Sequence, residues 1–406
     1  MARSTRRPAL RGIVTRLFAA LLGAAIALAI MIAMQAPFFG EAATIRVSLS
    51  SLAPATSIAT PLDWPTVGSA ALVIPSLGVL DAWHDEVVPI ASLTKMMTAF
   101  VTLRRLPLAV GSEGPCVTVS DNDVYTYDEM KMSAQSSVPV FAGESVCELQ
   151  LLQGLLVHSA NNYALLLADM VAGSPVAFTA LMNQTARSLG LAHTYYEEPT
   201  GYLNGSVSTA LEQGELAARL MASALVRSIV ILPSVDLPFA GVENTFTPYI
   251  GEDNVIGVKS GRTAAAGGCD VMAMTFLEGD QTRVLYSVVL GQQGGDLLGP
   301  AGDAALALAQ SAVANETAQS YPGGTRFGTI GWGRDVTPFA LAATHTLYWF
   351  AATQHLGAVI RMRRFTTPIR RHEVVGWLVV RGTSTHLFAL TAQRAVSPPT
   401  VWQRLR

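Results

Sequence analysis

From Leu17 to Phe39 the chain runs for 23 residues without a charge, and five arginines with no acidic residue precede that run. At about 1.5 Å per residue, a helix of this length crosses the roughly 30 Å hydrocarbon core of a bilayer. The arginines before it and Glu41 after it orient the N-terminus to the cytoplasm and export the remainder. The apolar region of a cleaved signal peptide is about 7–15 residues, and the longer run here favours an uncleaved anchor, with a cleaved signal as the alternative. Under both readings the rest of the chain must fold and work outside the cytoplasm.

The charge pattern narrows the partners. The net charge of −2 conceals +5 over residues 1–40 and +8 over 336–406, where nine arginines face Glu373 alone; the middle is left at −15. An acidic middle argues against nucleic acid as a partner. Anionic wall polymer or lipid headgroups could attract the arginine-rich tail, although the expected reading is a solvated surface in a chain that uses arginine for nearly all its cations. An exported chain of 406 residues with half its residues hydrophobic has material for two globular units. Two of the three cysteines, Cys116 in "PCVTVS" and Cys147 in "SVCELQ", sit beside short β-type runs, so an exported protein can bridge them. Three unpaired thiols are the alternative. Cys269 reads as a small apolar core residue.

The chain reads in five parts. Residues 1–16 are a basic cytoplasmic segment and 17–39 the transmembrane anchor or signal. Residues 40–65, rich in Ala, Ser, Thr and Pro, are an aperiodic linker. Residues 66–320 form the main domain. Within it, "SAALVIPSLGVLDAW" reads as a strand pair, 149–172 as two helical runs broken at "HSANN", and 176–190 as a helix closed by Gly190. "VIGVKSG", "DVMAMTFLEG" and "TRVLYSVVLG" read as strands, and 301–320 as an Ala-rich helix. After "YPGG", residues 321–406 form a small β-rich domain in which "VGWLVV" and "HLFALTA" make a hairpin. The apolar run 338–360 holds His345, Gln354 and His355 and is read as strands of that domain. The fold class is therefore α+β: helices around a largely antiparallel sheet, then a β-rich C-terminal domain.

Only three lysines occur among 27 basic residues, and one follows a serine by a single helical turn in "IASLTKMM". Positions i and i+3 share a helix face about 5–6 Å apart at Cβ. Ser92 and Lys95 can thus pair a nucleophile with a base, provided that burial lowers the lysine pKa. Leu93 and Met96 are expected to keep that lysine poorly solvated. Alone, the tetrapeptide reads better as a capping serine beside a solvated lysine. "HSANN" adds Ser159 and Asn161 at i and i+2 in a tight connection, a hydroxyl beside an amide; an ordinary turn would use the same residues. "VKSGRT" adds Lys259, Ser260, Gly261, Arg262 and Thr263 at a strand end, where the glycine leaves room for a substrate and the lysine supplies positive field.

In this order the three motifs match the active-site serine penicillin-interacting enzymes. Together with "LMNQTARSLGLAHTYYEEPTGY" and "GVKSGRTAAAGGC", residues 66–315 resemble the D-alanyl-D-alanine carboxypeptidases, the low-molecular-mass penicillin-binding proteins of the peptidase S11 family. The tail is similar to the C-terminal domain of actinobacterial members. The resemblance implies a β-lactamase/transpeptidase-like catalytic domain in which Ser92 attacks a peptidoglycan stem peptide ending in D-Ala-D-Ala. Lys95 would be the base, Ser159 would pass the proton to the leaving D-alanine, and Asn161 would orient the substrate and the lysine. Lys259 and Ser260 would take the terminal carboxylate, with the N–H groups of Ser92 and Arg262 as oxyanion donors. The resemblance further implies no metal or organic cofactor, and β-lactams as covalent inhibitors on Ser92. Ser260 replaces the usual threonine, Asn162 stands where aspartate is common, and no downstream arginine is assigned as a second carboxylate ligand, Arg283 included. A class A-like β-lactamase, using Glu197 or Glu198 to activate water, and a non-catalytic wall-binding scaffold on the same fold are the alternatives.

Overall fold

The computed structural model describes residues 8–35, 42–48, 61–350, 357–381 and 385–404. They fall into two units. One comprises 61–317 with 348–350; the other comprises 8–35, 42–48, 318–347, 357–381 and 385–404.

The first unit is organised by a five-stranded antiparallel sheet in the order Val255–Thr263, Gly267–Glu278, Gln281–Gln292, Ser69–Ile74, Val79–Trp83. Both of its faces are covered, which explains why "SAALVI" is buried at every position instead of alternating. The period of two shows instead in which core each residue joins. Ala71, Val73, Val271 and Ala273 face a large core shared with the helices, whereas Ala70, Leu72, Met272 and Met274 face the helix Leu298–Ala314. The expected strand pair closes through a short 3-10 turn, Pro75–Leu77, with Gly78 in the left-handed region. The expected break at "HSANN" separates Glu148–Leu156 from Asn161–Ala172, and Gly190 caps Pro175–Leu189 at φ +81°. The Ala-rich helix ends at Ala314, earlier than its composition implied; Glu316–Tyr321 is a strand. Cys116 and Cys147 are direct cross-strand partners and form a disulfide, while Cys269 is a buried free thiol.

The second unit centres on a six-stranded sheet in the order Thr44–Val47, Arg326–Trp332, Asp335–Leu341, Thr385–Ala392, Val374–Arg381, Gly357–Met362. The expected hairpin is present as Val374–Arg381 against Thr385–Ala392, with residues 382–384 outside the described set. Its core is Phe327, Ile330, Phe339, Leu341, Leu378 and Leu390 with their neighbours. Thr44–Val47 lies inside the stretch read as linker, yet it pairs with Arg326–Trp332. The N-terminal helix, Pro8–Gln35, begins before the apolar run, and residues 36–39 of that run lie outside the described set. Phe18–Gln35 has a mean hydropathy of 2.2 with none of its residues buried, fitting either a signal sequence or a membrane anchor.

Candidate active site

The chain enters the site through a single 3-10 turn, Ala91–Leu93, which leads directly into the helix Thr94–Arg105. Ala91 adopts φ +47°, a conformation that L residues rarely hold, and it turns Ser92 out of the helix start. Leu93 and Met96 anchor the turn in the core, so Lys95 is fully buried although it is one turn from Ser92. Its Nζ lies 2.9 Å from Ser92 Oγ and donates to the Thr200 carbonyl at 2.7 Å. Burial holds this amine well below the ordinary lysine range; the charge of Lys259 pushes the same way and the Glu198 carboxylate opposes.

The Thr200 loop is pressed against the serine turn. Gly201, at φ +77°, packs on the Ala91 carbonyl so closely that a Cβ would overlap it. Thr98 Oγ1 donates to the Pro199 carbonyl at 2.7 Å and ties the same loop to the helix. Glu198 accepts from Thr200 N, and Glu197 Oε2 accepts from Gly205 N at 2.8 Å. Both glutamates are thus engaged by their own loop, and neither lines the cleft around Ser92.

Ser159 sits at φ +62° in the tight connection ahead of the helix Asn161–Ala172. Its hydroxyl is buried with no hydrogen-bond partner among the described residues, although it lines the cleft with Ser92. Asn161 donates to Gln135 Oε1 at 2.7 Å. Lys95, which Asn161 was expected to orient, bonds instead to Ser92 and Thr200. Asn162 is a structural pin: its amide accepts from Val138 N at 3.0 Å and donates to Val138 O at 2.7 Å. Aspartate at this buried position loses the donor and sets two oxygens face to face. Asn162→Asp is expected to lower stability by about 1–3 kcal/mol at neutral pH, a loss that shrinks in acid as the carboxyl regains a proton to donate; thermal unfolding against pH measures it.

The third element is the edge strand Val255–Thr263. Gly261 lies directly over the serine turn, and a Cβ there would stand 2.7 Å from Ser92 N. Ser260 Oγ donates to the Phe246 carbonyl at 2.9 Å. Lys259 is fully buried and donates to the Ser260 carbonyl at 2.9 Å. Burial brings its amine down to about 7, with Asp270 opposing. Asp270 is the cross-strand partner of Ser260, and burial raises its carboxyl well above the usual range. Arg262 lines the cleft while its half-exposed guanidinium pairs with Asp296 at 3.1 Å. Thr263 stands apart: its Oγ1 accepts from Ala266 N at 3.0 Å and closes the strand-end turn. Arg283 pairs with Glu278 and is absent from the cleft lining.

One cleft therefore gathers Ser92, Ser159, Ser260, Gly261 and Arg262, with Ser136, Phe246 and Leu298 completing its lining. Lys95 reaches it through Ser92, while along the chain Asn161 is two residues from Ser159 and Lys259 is one residue from Ser260. Residues 79–294, just over half of the chain, match the family Peptidase S11, described as D-alanyl-D-alanine carboxypeptidase. The chain belongs to the peptidase S11 family. It is 30% identical over 210 residues to the Escherichia coli D-alanyl-D-alanine carboxypeptidase DacA, covering 50% of each chain. It is 33% identical over 253 residues to the Escherichia coli D-alanyl-D-alanine endopeptidase, covering 56% of this chain and 77% of that one. It thus spans about half the length of DacA. Penicillin binding protein 5 from Haemophilus influenzae shares the fold, with a TM-score of 0.59 and 19% identity over 84% of this chain and 99% of that one. For a member of the S11 family, the contacts of Gln135, Thr200 and Phe246 were not legible in the motifs. Thr200 contributes only its carbonyl, and "EEPTGY" was the single sequence hint of its neighbourhood.

Proposed function

We propose that this chain is a serine-type D-alanyl-D-alanine carboxypeptidase that removes the terminal D-alanine from peptidoglycan stem peptides and is acylated by β-lactams. The observation that carries the reading is the buried amine of Lys95, held 2.9 Å from Ser92 Oγ with its pKa depressed. As a free base, Lys95 takes the Ser92 proton while Oγ bonds to the carbonyl carbon of the penultimate D-alanine. The oxyanion rests on the N–H groups of Ser92 and Arg262. The proton passes by way of Ser159, whose hydroxyl is free to relay it, to the departing D-alanine nitrogen as the C–N bond breaks. Asn161 orients the substrate. Lys259 and Ser260, with Gly261 leaving room for the peptide, hold the terminal carboxylate, and Arg262 and Thr263 complete the strand end. Water then splits the ester and restores Ser92.

The catalytic part is residues 66–320 and the β-rich part 321–406, of the actinobacterial kind. The N-terminal helix anchors the protein with both parts outside the cytoplasm. The engagement of Glu197 and Glu198 by their own loop weighs against a deacylating base of the β-lactamase kind. A second reading, endopeptidase cleavage of D-alanyl cross-links by the same acyl-enzyme, is favoured by the 33% identity to the Escherichia coli D-alanyl-D-alanine endopeptidase.

The test incubates the protein with a stem pentapeptide, a cross-linked muropeptide dimer and labelled penicillin, alongside Ser92→Ala. Release of D-alanine from the pentapeptide and covalent labelling, both absent in the variant, are expected. Cleavage of the dimer alone moves the reading to the endopeptidase, and fast penicillin turnover without D-alanine release overturns it. The free-enzyme pH profile is a separate check. kcat/KM should rise as Lys95 loses its proton and fall above about pH 7 as Lys259 loses the charge that binds carboxylate. A profile still climbing at about pH 9 would return Lys259 to the ordinary lysine range.

A further inference from the structure

His158 stands immediately before Ser159, and nothing in the acyl-transfer scheme uses it. Its Nδ1 lies 3.1 Å from Glu243 Oε2 and 3.1 Å from the Asn244 carbonyl. Both neighbours only accept, so Nδ1 carries a proton and donates in the neutral and the charged ring alike. The imidazole also meets the Phe246 ring, with 4.9 Å between centroids and a 41° tilt. Phe246 is fixed at both backbone ends: its N–H donates to the Val157 carbonyl at 3.4 Å, and its carbonyl accepts from Ser260 Oγ. Its ring lines the cleft beside Ser92, Ser159 and Ser260 and keeps 38% of its surface exposed. One imidazole therefore joins the connection that carries Ser159 to the segment that carries Phe246 and, through its carbonyl, Ser260. These two sides of the cleft come from positions about a hundred residues apart, and the pairing of Val255–Thr263 with Gly267–Glu278 does not itself bind them together.

We propose that His158 and Glu243 are positioning residues that hold Phe246 as the side wall of the cleft, against which the acyl-donor peptide packs. The proposal rests on the acyl-transfer reading above. Without His158, the segment 241–246 keeps its strand pairing and the 3.4 Å bond from Phe246 N to the Val157 carbonyl. It loses the side-chain contact that seats the aromatic wall, so the ring shifts and the acceptor of Ser260 Oγ is held less firmly. Ser92 and Lys95 are untouched, because their contacts run to Thr200 and the helix start. The effect should appear in binding of the donor and not in the bond-making step.

The experiment measures KM and kcat for D-alanine release, and the second-order rate of labelled-penicillin acylation, in His158→Ala, His158→Gln, Glu243→Ala and the double alanine variant. His158→Ala should raise KM about tenfold, the scale of one well-formed hydrogen bond, with kcat within about threefold of wild type. His158→Gln, whose amide can donate to the same acceptors, should recover most of the loss. Glu243→Ala should resemble His158→Ala, and the double variant should be no worse than either single one, as expected for partners in one contact. An active wild type with KM unmoved in His158→Ala overturns the positioning role alone. So does a KM rise that glutamine fails to rescue. A wild type that neither releases D-alanine nor is acylated overturns the catalytic reading and this proposal with it.

Discussion

Lys95→Met should abolish most catalysis while making the protein more stable. In the proposed acyl transfer Lys95 is the base, so without it acylation of Ser92 by penicillin or by a D-Ala-D-Ala peptide should fall by about 10²–10⁴-fold. Methionine is unbranched and fills the same volume among Leu93, Met96 and the rest of the large core. Stability should rise by about 0.5–2 kcal/mol, as at other sites where function keeps a poorly accommodated group. The sign follows from proton linkage. Lys95 has a folded pKa well below its unfolded value near 10.5, so the unfolded chain binds the extra proton between those two values. Wild-type stability therefore falls as pH drops from about 10.5 through that window, and the variant's advantage widens over the same window before levelling off. Thermal unfolding of both proteins at several pH values reads this directly; an advantage that does not change with pH would place Lys95 in the ordinary solvated range.

The second large effect is expected at Gly261. Real Cβ atoms essentially never come within 3.0 Å of another heavy atom, and a methyl here would meet Ser92 N at 2.7 Å and Leu93 N at 3.2 Å. The obstacle is backbone on both sides, so no side chain can rotate away. Gly261→Ala must move either the strand edge or the serine turn, and either shift takes the Ser92 N–H from the position where the proposed mechanism has it meet an oxyanion. Losing one such donor lowers kcat by about 10²–10³-fold. Gly295→Ala serves as a control, because its new methyl meets nothing within 4 Å. Near-wild-type D-alanine release by Gly261→Ala would remove the strand edge from the oxyanion site.

The sequence carried the three motifs and the two-faced strands because both are written in side-chain identity. Ser92 and Lys95 share a helical turn, and residues 271–274 alternate between two cores. What it did not carry is mostly backbone. The Thr200 carbonyl holds Lys95, the left-handed conformation of Ala91 turns Ser92 out of the helix start, and the Phe246 carbonyl holds Ser260, yet none of these depends on the residue type that supplies it. Asn162 stands out in the sequence only as a replacement for aspartate, because motif comparison registers only the substitution; its two bonds to Val138 become visible once the loop at 135–140 is in place. Thr263 was grouped with the substrate strand by adjacency, but the strand ends there and its hydroxyl serves the turn. Thr44–Val47 is four residues long, too short for a periodicity to emerge from the Ala- and Ser-rich sequence around it.

That short strand also sets an order of events during synthesis. Val47 pairs with Gly328, and the segment emerges from the ribosome some 280 residues before its partner does. The five-stranded unit can close on its own sequence in the meantime, whereas Thr44–Val47 must wait with its backbone donors and acceptors unsatisfied by any neighbour strand. A chain stopped short of Arg326 would keep the whole Ser92 cleft and still carry an orphaned strand, ready to pair with another copy of itself.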